Sequence, residues 1–284
     1  MTPRFWFSEP GLVATALRPL APLWPRPARK PIPAGTIALY APLADPLTQA
    51  LALVHLAQAL PGSPCALLPD TTPDFDLPGF LRDFLPLVER PDARPCLALA
   101  PWPAPAAAKV LVIDAGRGFG NGFLRPAGPL HDTPATLLGW ADHLLLIGGS
   151  EQRQGFLAGA IRREWTLPPV LHAEIAPLAM GMDWQGSAVL AFSAGAFALL
   201  LFAACRSVGA DLRGAIPLPQ GQPPAPALLR RLDAEAQRLG AQLVTTEADA
   251  QTLPPAFRRR VLAMPLRLSG AQGLGAAVRS TLQG

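Results

Sequence analysis

The sequence predicts an α/β fold, a mostly parallel sheet with helices on both faces, in two lobes. Apolar runs of strand length alternate with longer helical stretches: Thr36–Tyr40, Val110–Asp114, Leu144–Ile147 and Val189–Phe192 are the clearest. That alternation is the pattern of crossovers between parallel strands. The 284 residues are 50% hydrophobic and 15% charged, which is ample for a core. At Val189 the pattern restarts, pointing to a second α/β run.

Phe5-Trp6-Phe7 opens an apolar segment that continues through Leu12, Val13, Leu17, Leu20, Leu23 and Trp24. Pro10-Gly11 breaks it, and a short helix reaches Arg18. Arg4, Arg18, Arg26, Arg29 and Lys30 stand against Glu9, a basic amphipathic character that suits a bilayer surface or the protein's own core. Thr36–Tyr40 reads as the first strand. Asp45-Pro46 then starts a helix to Leu60, with Asp as N-cap and Pro at the first helical position.

Cys65–Leu68 reads as a strand, Leu77–Val88 as a helix shortened by Pro86, and Cys96–Ala100 as a strand stopped by Pro101-Trp102-Pro103-Ala104-Pro105. Val110–Asp114 and Leu144–Ile147 follow as strands, then a helix over Glu151–Glu164. Val170–Ile175 is a strand at an edge or on the way to a second lobe. The second run reads as strand Val189–Phe192, a helix to Val208, a helix over Ala225–Leu239, strand Gln242–Thr245, a short helix from Glu247 and strand Val261–Leu266. The resulting division is 1–35, 36–165 and 166–284.

Composition excludes several classes. Net charge is only +4, and no basic-aromatic interleaving is present, so nucleic acid is not expected as a partner. Cys65, Cys96 and Cys205 lie in apolar surroundings and read as reduced core thiols of a cytosolic protein. His55, His131, His143 and His172 lack metal-ligand spacing. No apolar region with a cleavage site marks a signal peptide. Ala188–Cys205 carries no charge, but Ser193 and Gly195 divide it into a strand and a buried helix rather than a span.

The stretch with most chemistry is Asp114–Gly122, with glycines at 116, 118, 120 and 122. Such density serves positive φ angles or a close approach. Four apolar residues ending in Asp114 match a strand that presents a magnesium-binding carboxylate; Asp is also a common turn former there. Arg117, Asn121 and Arg125 flank the glycines. They suit an anionic ligand, or else an ion pair at Arg117 and a left-handed turn at Asn121. The turn after the first strand is a poor phosphate cradle. Ala41 to Ala44 holds no glycine, Pro42 and Pro46 have no N–H, and Asp45 would repel phosphate. Neither lysine, Lys30 or Lys109, follows a glycine, so the pattern G-x-x-x-x-G-K-[ST] occurs nowhere. Ala191-Phe192-Ser193-Ala194-Gly195 approximates a nucleophile elbow, but no histidine follows it, and it reads as a small-residue turn. Thr245 or Thr246 can cap the helix that Glu247 and Asp249 open.

Together these segments resemble tetraacyldisaccharide 4'-kinase, the lipid A 4'-kinase of Gram-negative bacteria. Val112–Leu130, VIDAGRGFGNGFLRPAGPL, carries most of the resemblance; Phe5-Trp6, Pro10-Gly11, Arg18-Pro19-Leu20, Ala141-Asp142, Val189–Phe192 and Leu243–Asp249 fit other family blocks in order. The resemblance implies a first lobe related to P-loop NTPases and a peripheral position on the cytoplasmic face of the inner membrane. It implies transfer of the γ-phosphoryl of ATP, with magnesium, to the 4'-hydroxyl of a lipid A precursor. The departures fall on the catalytic blocks. The phosphate loop would lie on Tyr40–Thr48, the Asp-Asp-Gly-Phe-Gln-His motif on Ala100–Pro105, a later His near Pro217–Pro223, and Ala248 replaces a Lys. The Ser-Arg-Gly-Tyr segment expected after Cys65–Leu68 is absent. Two functions follow: a divergent kinase using Asp114 on metal and Arg117 on phosphate, with weak or lost ATP binding, or a non-catalytic member that binds a lipid A precursor or a partner enzyme.

Overall fold

The structure is a computed structural model that describes residues 3–25, 31–33, 35–67, 77–89, 95–178, 181–195, 197–219 and 224–283. Arg26, Arg29, Lys30, Leu68 and Ala196, named in the readings above, lie outside the described residues. The chain forms two compact units. One takes in the described residues up to Glu174 and from Gly270 onwards; the other is built from Ile175–Ser269. The division expected at 166 thus falls after Glu174, and the last residues return to the first unit.

In the first unit a 3-10 turn at Arg4–Phe7 precedes α1 (Leu12–Leu17) and a second 3-10 turn at Arg18–Leu23. Then come β1 (Ile37–Tyr40), α2 (Pro46–Ala59), β2 (Cys65–Leu67), α3 (Leu77–Arg82), β3 (Leu87–Val88), β4 (Cys96–Ala100) and β5 (Ala108–Asp114). They are followed by α4 (Pro134–Trp140), β6 (His143–Ile147), α5 (Ser150–Arg162) and β7 (Val170–Pro177), which leads out of the unit. Strands β1 to β7 are paired in parallel in the order β7-β6-β5-β1-β4-β2-β3. Parallel strands buried on both faces read as continuous apolar runs, and β5 and β6 do. Leu111, Ile113, Leu144 and Leu146 pack on one face with Leu137 and Phe156, while Val110, Val112 and Leu145, on the other, are equally buried.

The expected start of α2 is present. The Asp45 carboxylate accepts the Thr48 N–H at 3.0 Å and the Thr48 hydroxyl at 2.8 Å, and Pro46 opens the helix. Residues Leu77–Val88 do not form one helix: α3 ends at Arg82, and Leu87–Val88 pairs with β2. Pro86 is the cause, because it cannot continue a helix but its carbonyl accepts the Ala66 N–H at 2.9 Å.

In the second unit β8 (Ala188–Ala194), α6 (Phe197–Ser207), β9 (Asp211–Leu218), α7 (Pro226–Leu239), β10 (Gln242–Thr246), α8 (Glu247–Thr252), α9 (Pro255–Arg258) and β11 (Val261–Met264) build a parallel sheet ordered β11-β10-β8-β9. The uncharged Ala188–Cys205 run is indeed a strand and a helix. Among the described residues no helix is long and apolar enough to cross a membrane. The expected strand Val261–Leu266 is divided at Pro265, after which β12 (Leu266–Gly270) pairs with β7 and leads back to the first unit. There α10 (Leu274–Gln283) docks on α2. Arg279 donates to the Ala59 carbonyl at 2.9 Å, placing a cation on the negative end of α2.

Candidate functional site

The chain runs from β1 to β4 on one side of the sheet, then crosses β1 to place β5 on its other flank. Such a reversal opens a crevice beyond the carboxyl ends of the strands, where ligands of open α/β sheets bind. Here those ends are Tyr40, leading into Ala41–Asp45, and Asp114, leading into the glycine stretch.

Asp114 and Arg117 are brought together with the β1–α2 turn. The Asp114 Oδ1 accepts the Gly116 N–H at 2.8 Å, and Oδ2 lies 3.7 Å from Arg117 Nε. Arg117 Nη1 donates to the Leu43 carbonyl at 3.2 Å. The expected ion pair at Arg117 is therefore present, and it faces the turn where a phosphate loop would lie. Among the described residues no group of three or more His, Cys, Asp or Glu side chains is placed to hold a metal ion. Asp114 stands as one carboxylate, which is compatible with magnesium held chiefly by phosphate oxygens.

Asn121 and Arg125 are placed differently. Asn121 is buried, and its amide makes three hydrogen bonds to backbone. Nδ2 donates to the carbonyls of Phe5 at 3.2 Å and Ala127 at 2.9 Å, while Oδ1 accepts the Phe123 N–H at 3.1 Å. The Asn121 N–H donates to the Trp6 carbonyl at 2.8 Å, and Trp6 Nε1 donates to the Pro126 carbonyl at 3.0 Å. The Arg125 guanidinium lies 5.2 Å from the Trp6 ring centre, and Arg18 lies equally far from that of Phe123. Gly120 must be glycine: its φ is +60°, and a Cβ would stand 2.6 Å from the Trp6 carbonyl oxygen. Gly120, Asn121 and the turn at Pro126 thus form a socket for the N-terminal segment. Sequence reasoning had no signal for this beyond the presence of Phe5-Trp6 and the glycine block in one chain.

The socket fixes which side of the N-terminal segment faces outward. In α1 only Ala14 is buried, at 1% exposure, whereas Leu12 is 91% exposed. Val13, Leu20, Leu23 and Trp24 are exposed as well, flanked by exposed Arg4 and Arg18.

In the second unit the small-residue turn and the Thr-Thr-Glu block meet. Ser193 is fully buried and donates to Asp249 Oδ2 at 2.5 Å; Thr246 Oγ1 donates to the same oxygen at 2.8 Å and accepts the Asp249 N–H, capping α8. Ser193 is therefore a structural donor, and Thr246 is the cap. Burial pushes the Asp249 carboxyl above the ordinary carboxylate range, opposed by hydrogen bonds from Ser193 and Thr246 and from the Ala194 N–H. A raised pKa means that the protonated acid is the form favoured by folding. The stabilisation is full below the unfolded-state pKa and is lost as pH rises through the folded-state value. We expect thermal unfolding to show a decline in stability over that acidic window that Asp249→Asn lacks; parallel pH profiles for the two proteins would refute it.

Comparison with known proteins adds the family. The description tetraacyldisaccharide-1-P 4'-kinase matches residues 106–283, a segment that contains Asp114, Arg117, Asn121 and Arg125. Among curated relatives, the tetraacyldisaccharide 4'-kinase of Dinoroseobacter shibae is 41% identical over 160 residues, 56% of this chain and 47% of the relative. That of Jannaschia is 40% identical over 159 residues, 56% of this chain and 48% of the relative. The chain spans about half the length of the curated relatives it matches. A solved structure, LpxK from Aquifex aeolicus in complex with ATP, superposes with a TM-score of 0.64 at 14% identity, over 95% of this chain and 100% of that one. At that identity the likeness is one of fold.

Proposed function

The chain belongs to the tetraacyldisaccharide 4'-kinase family, and on that premise we propose that it binds an acylated, 1-phosphorylated disaccharide at a membrane surface without cradling ATP in its β1–α2 turn. This is the non-catalytic reading, with a peripheral position on the cytoplasmic face of the inner membrane. The observation that carries it is the socket around Asn121, which holds the N-terminal segment with its leucines outward beside an arginine-bearing loop. An exposed apolar row with basic neighbours suits the boundary between head groups and acyl chains.

The residues of the β1–α2 turn do not fit a triphosphate. The Asp45 carboxylate already takes the Thr48 N–H at the start of α2, so a phosphate there would meet an anion in place of a donor. Pro42 and Pro46 can donate nothing.

One observation favours the other reading, a divergent kinase with Asp114 on magnesium and Arg117 on phosphate. Arg117 bridges the Asp114 carboxylate and the Leu43 carbonyl, so the two candidates converge where a phosphoryl group would pass. Radiolabelled ATP, magnesium and the acylated disaccharide 1-phosphate separate the two. We expect the acceptor to be retained by the purified protein with no phosphate incorporated above background. Transfer that vanishes in Asp114→Ala would establish the kinase reading instead.

A further inference from the structure

A cleft of about 200 Å³ lies in the first unit between the glycine loop and the outer side of α5. Arg117, Arg162 and Arg163 are among its lining residues, and among the described residues no Asp or Glu is. Arg162 has no ion pair among the described residues. The Arg163 guanidinium donates to the Gly159 carbonyl at 3.3 Å and lies 5.4 Å from the Trp165 ring centre, with no ion pair among the described residues. Arg117 is shared between the Asp114 carboxylate at 3.7 Å and the Leu43 carbonyl at 3.2 Å. Arg162 and Arg163 stand at the negative C-terminal end of α5, which balances their charge in part and leaves capacity for an anion.

The helix beneath is built to leave room. Gly155 and Gly159 both lie inside α5 and both line the cleft. A helix-interior glycine costs roughly 1 kcal/mol relative to alanine. At Gly155 packing gives no return for that cost, since an added Cβ would meet nothing within 4 Å. At Gly159 an added Cβ would meet Arg163 Nη1 at 3.1 Å, so the absence of a side chain lets the guanidinium lie back across the helix toward the cleft.

We propose that this cleft binds a phosphate monoester, held by Arg162 and Arg163. Guanidinium groups pair with phosphate oxygens through two parallel N–H donors, and the bare glycines allow the anion to approach the helix surface. The phosphate can be free in solution or borne on a sugar. The second source rests on the acceptor reading above, whose family name carries a 1-phosphate.

The test is calorimetric titration of the full chain, without ATP or lipid, at low ionic strength. Glucosamine 1-phosphate, inorganic phosphate and unphosphorylated glucosamine are the probes. Both phosphates are expected to bind competitively at one site, glucosamine is not, and Arg162→Ala/Arg163→Ala is expected to weaken binding by about ten-fold or more. Both side chains are exposed, so an unchanged melting temperature verifies the fold of the variant. Tighter binding of the sugar phosphate assigns the site to the acceptor; equal binding assigns it to free phosphate, and either supports the cleft. Equal affinity in wild type and double variant overturns the proposal, as does a failure of both phosphates to bind. A response confined to phosphatidylglycerol vesicles overturns it too and makes the face a membrane contact. Absence of phosphoryl transfer leaves the result untouched, and loss of phosphate from the cleft leaves vesicle binding by the N-terminal segment intact, so the two readings fail separately.

Discussion

Asn121→Ala is expected to lower the free energy of unfolding by about 3 kcal/mol and to free the N-terminal segment. The substitution strips partners from the Phe5 and Ala127 carbonyls and the Phe123 N–H. Each buried polar group left unsatisfied costs roughly 1–3 kcal/mol, and the more exposed of these regains water. Asn121→Asp is no remedy, because a carboxylate cannot donate to the two carbonyls that Nδ2 serves. Limited proteolysis is the readout. Cleavage in the segment before residue 25 should appear in the variant while the rest of the first unit resists. A variant with wild-type melting temperature and an intact N-terminus would refute the socket. Arg117→Ala serves as a control, since its half-exposed ion pair is worth about 1 kcal/mol at most.

Leu12→Glu/Leu23→Glu is expected to reduce partitioning onto anionic phospholipid vesicles by about 100-fold or more. Leu12 and Leu23 are 91% and 81% exposed, so neither holds the fold together, and the melting temperature should stay near that of the wild type. Burying each leucine in a bilayer boundary contributes roughly 1.5–3 kcal/mol, and two such terms set the expected ratio. Exposed arginines of the segment, Arg4 and Arg18, add about 1 kcal/mol each near an anionic surface. Raised salt should therefore weaken wild-type binding without abolishing it. Vesicle flotation measures both effects. Equal flotation of wild type and variant would remove the membrane surface from the proposed function and leave the exposed row to a protein partner.

The two predictions meet in one strap. The buried amide of Asn121 sets its orientation, and its leucines supply what it presents. Asp114 and Arg117 lie at the other end of the same loop, so a protein that loses the strap need not lose the Arg117–Leu43 contact.

Short-range chemistry made much of this legible. Continuous apolar runs identify β5 and β6 because parallel strands bury both faces. Asp45-Pro46 marks the start of α2 because a carboxylate and a proline suit a helix N-terminus whatever surrounds it. Thr246 caps α8 for the same reason. Where neighbours in space decide, local pattern misleads. Asp211–Leu218 carries no strand signal in the sequence: Gly214 and Pro217 weaken its pattern, and as an edge strand only its last residue is buried. Leu87–Val88 looked helical until pairing with β2 claimed it.

By itself, then, the sequence determined the alternation of strands and helices, the capped helix starts, the family block from Val112 to Leu130 and the lack of a G-x-x-x-x-G-K-[ST] loop. The roles of Gly120 and Asn121 came from long-range packing. A capping residue finds its partner three positions away, so its role can be read locally. Asn121 finds the Phe5 carbonyl 116 positions away. No local pattern encodes which distant backbone arrives there, and a glycine's necessity is set by whatever approaches it.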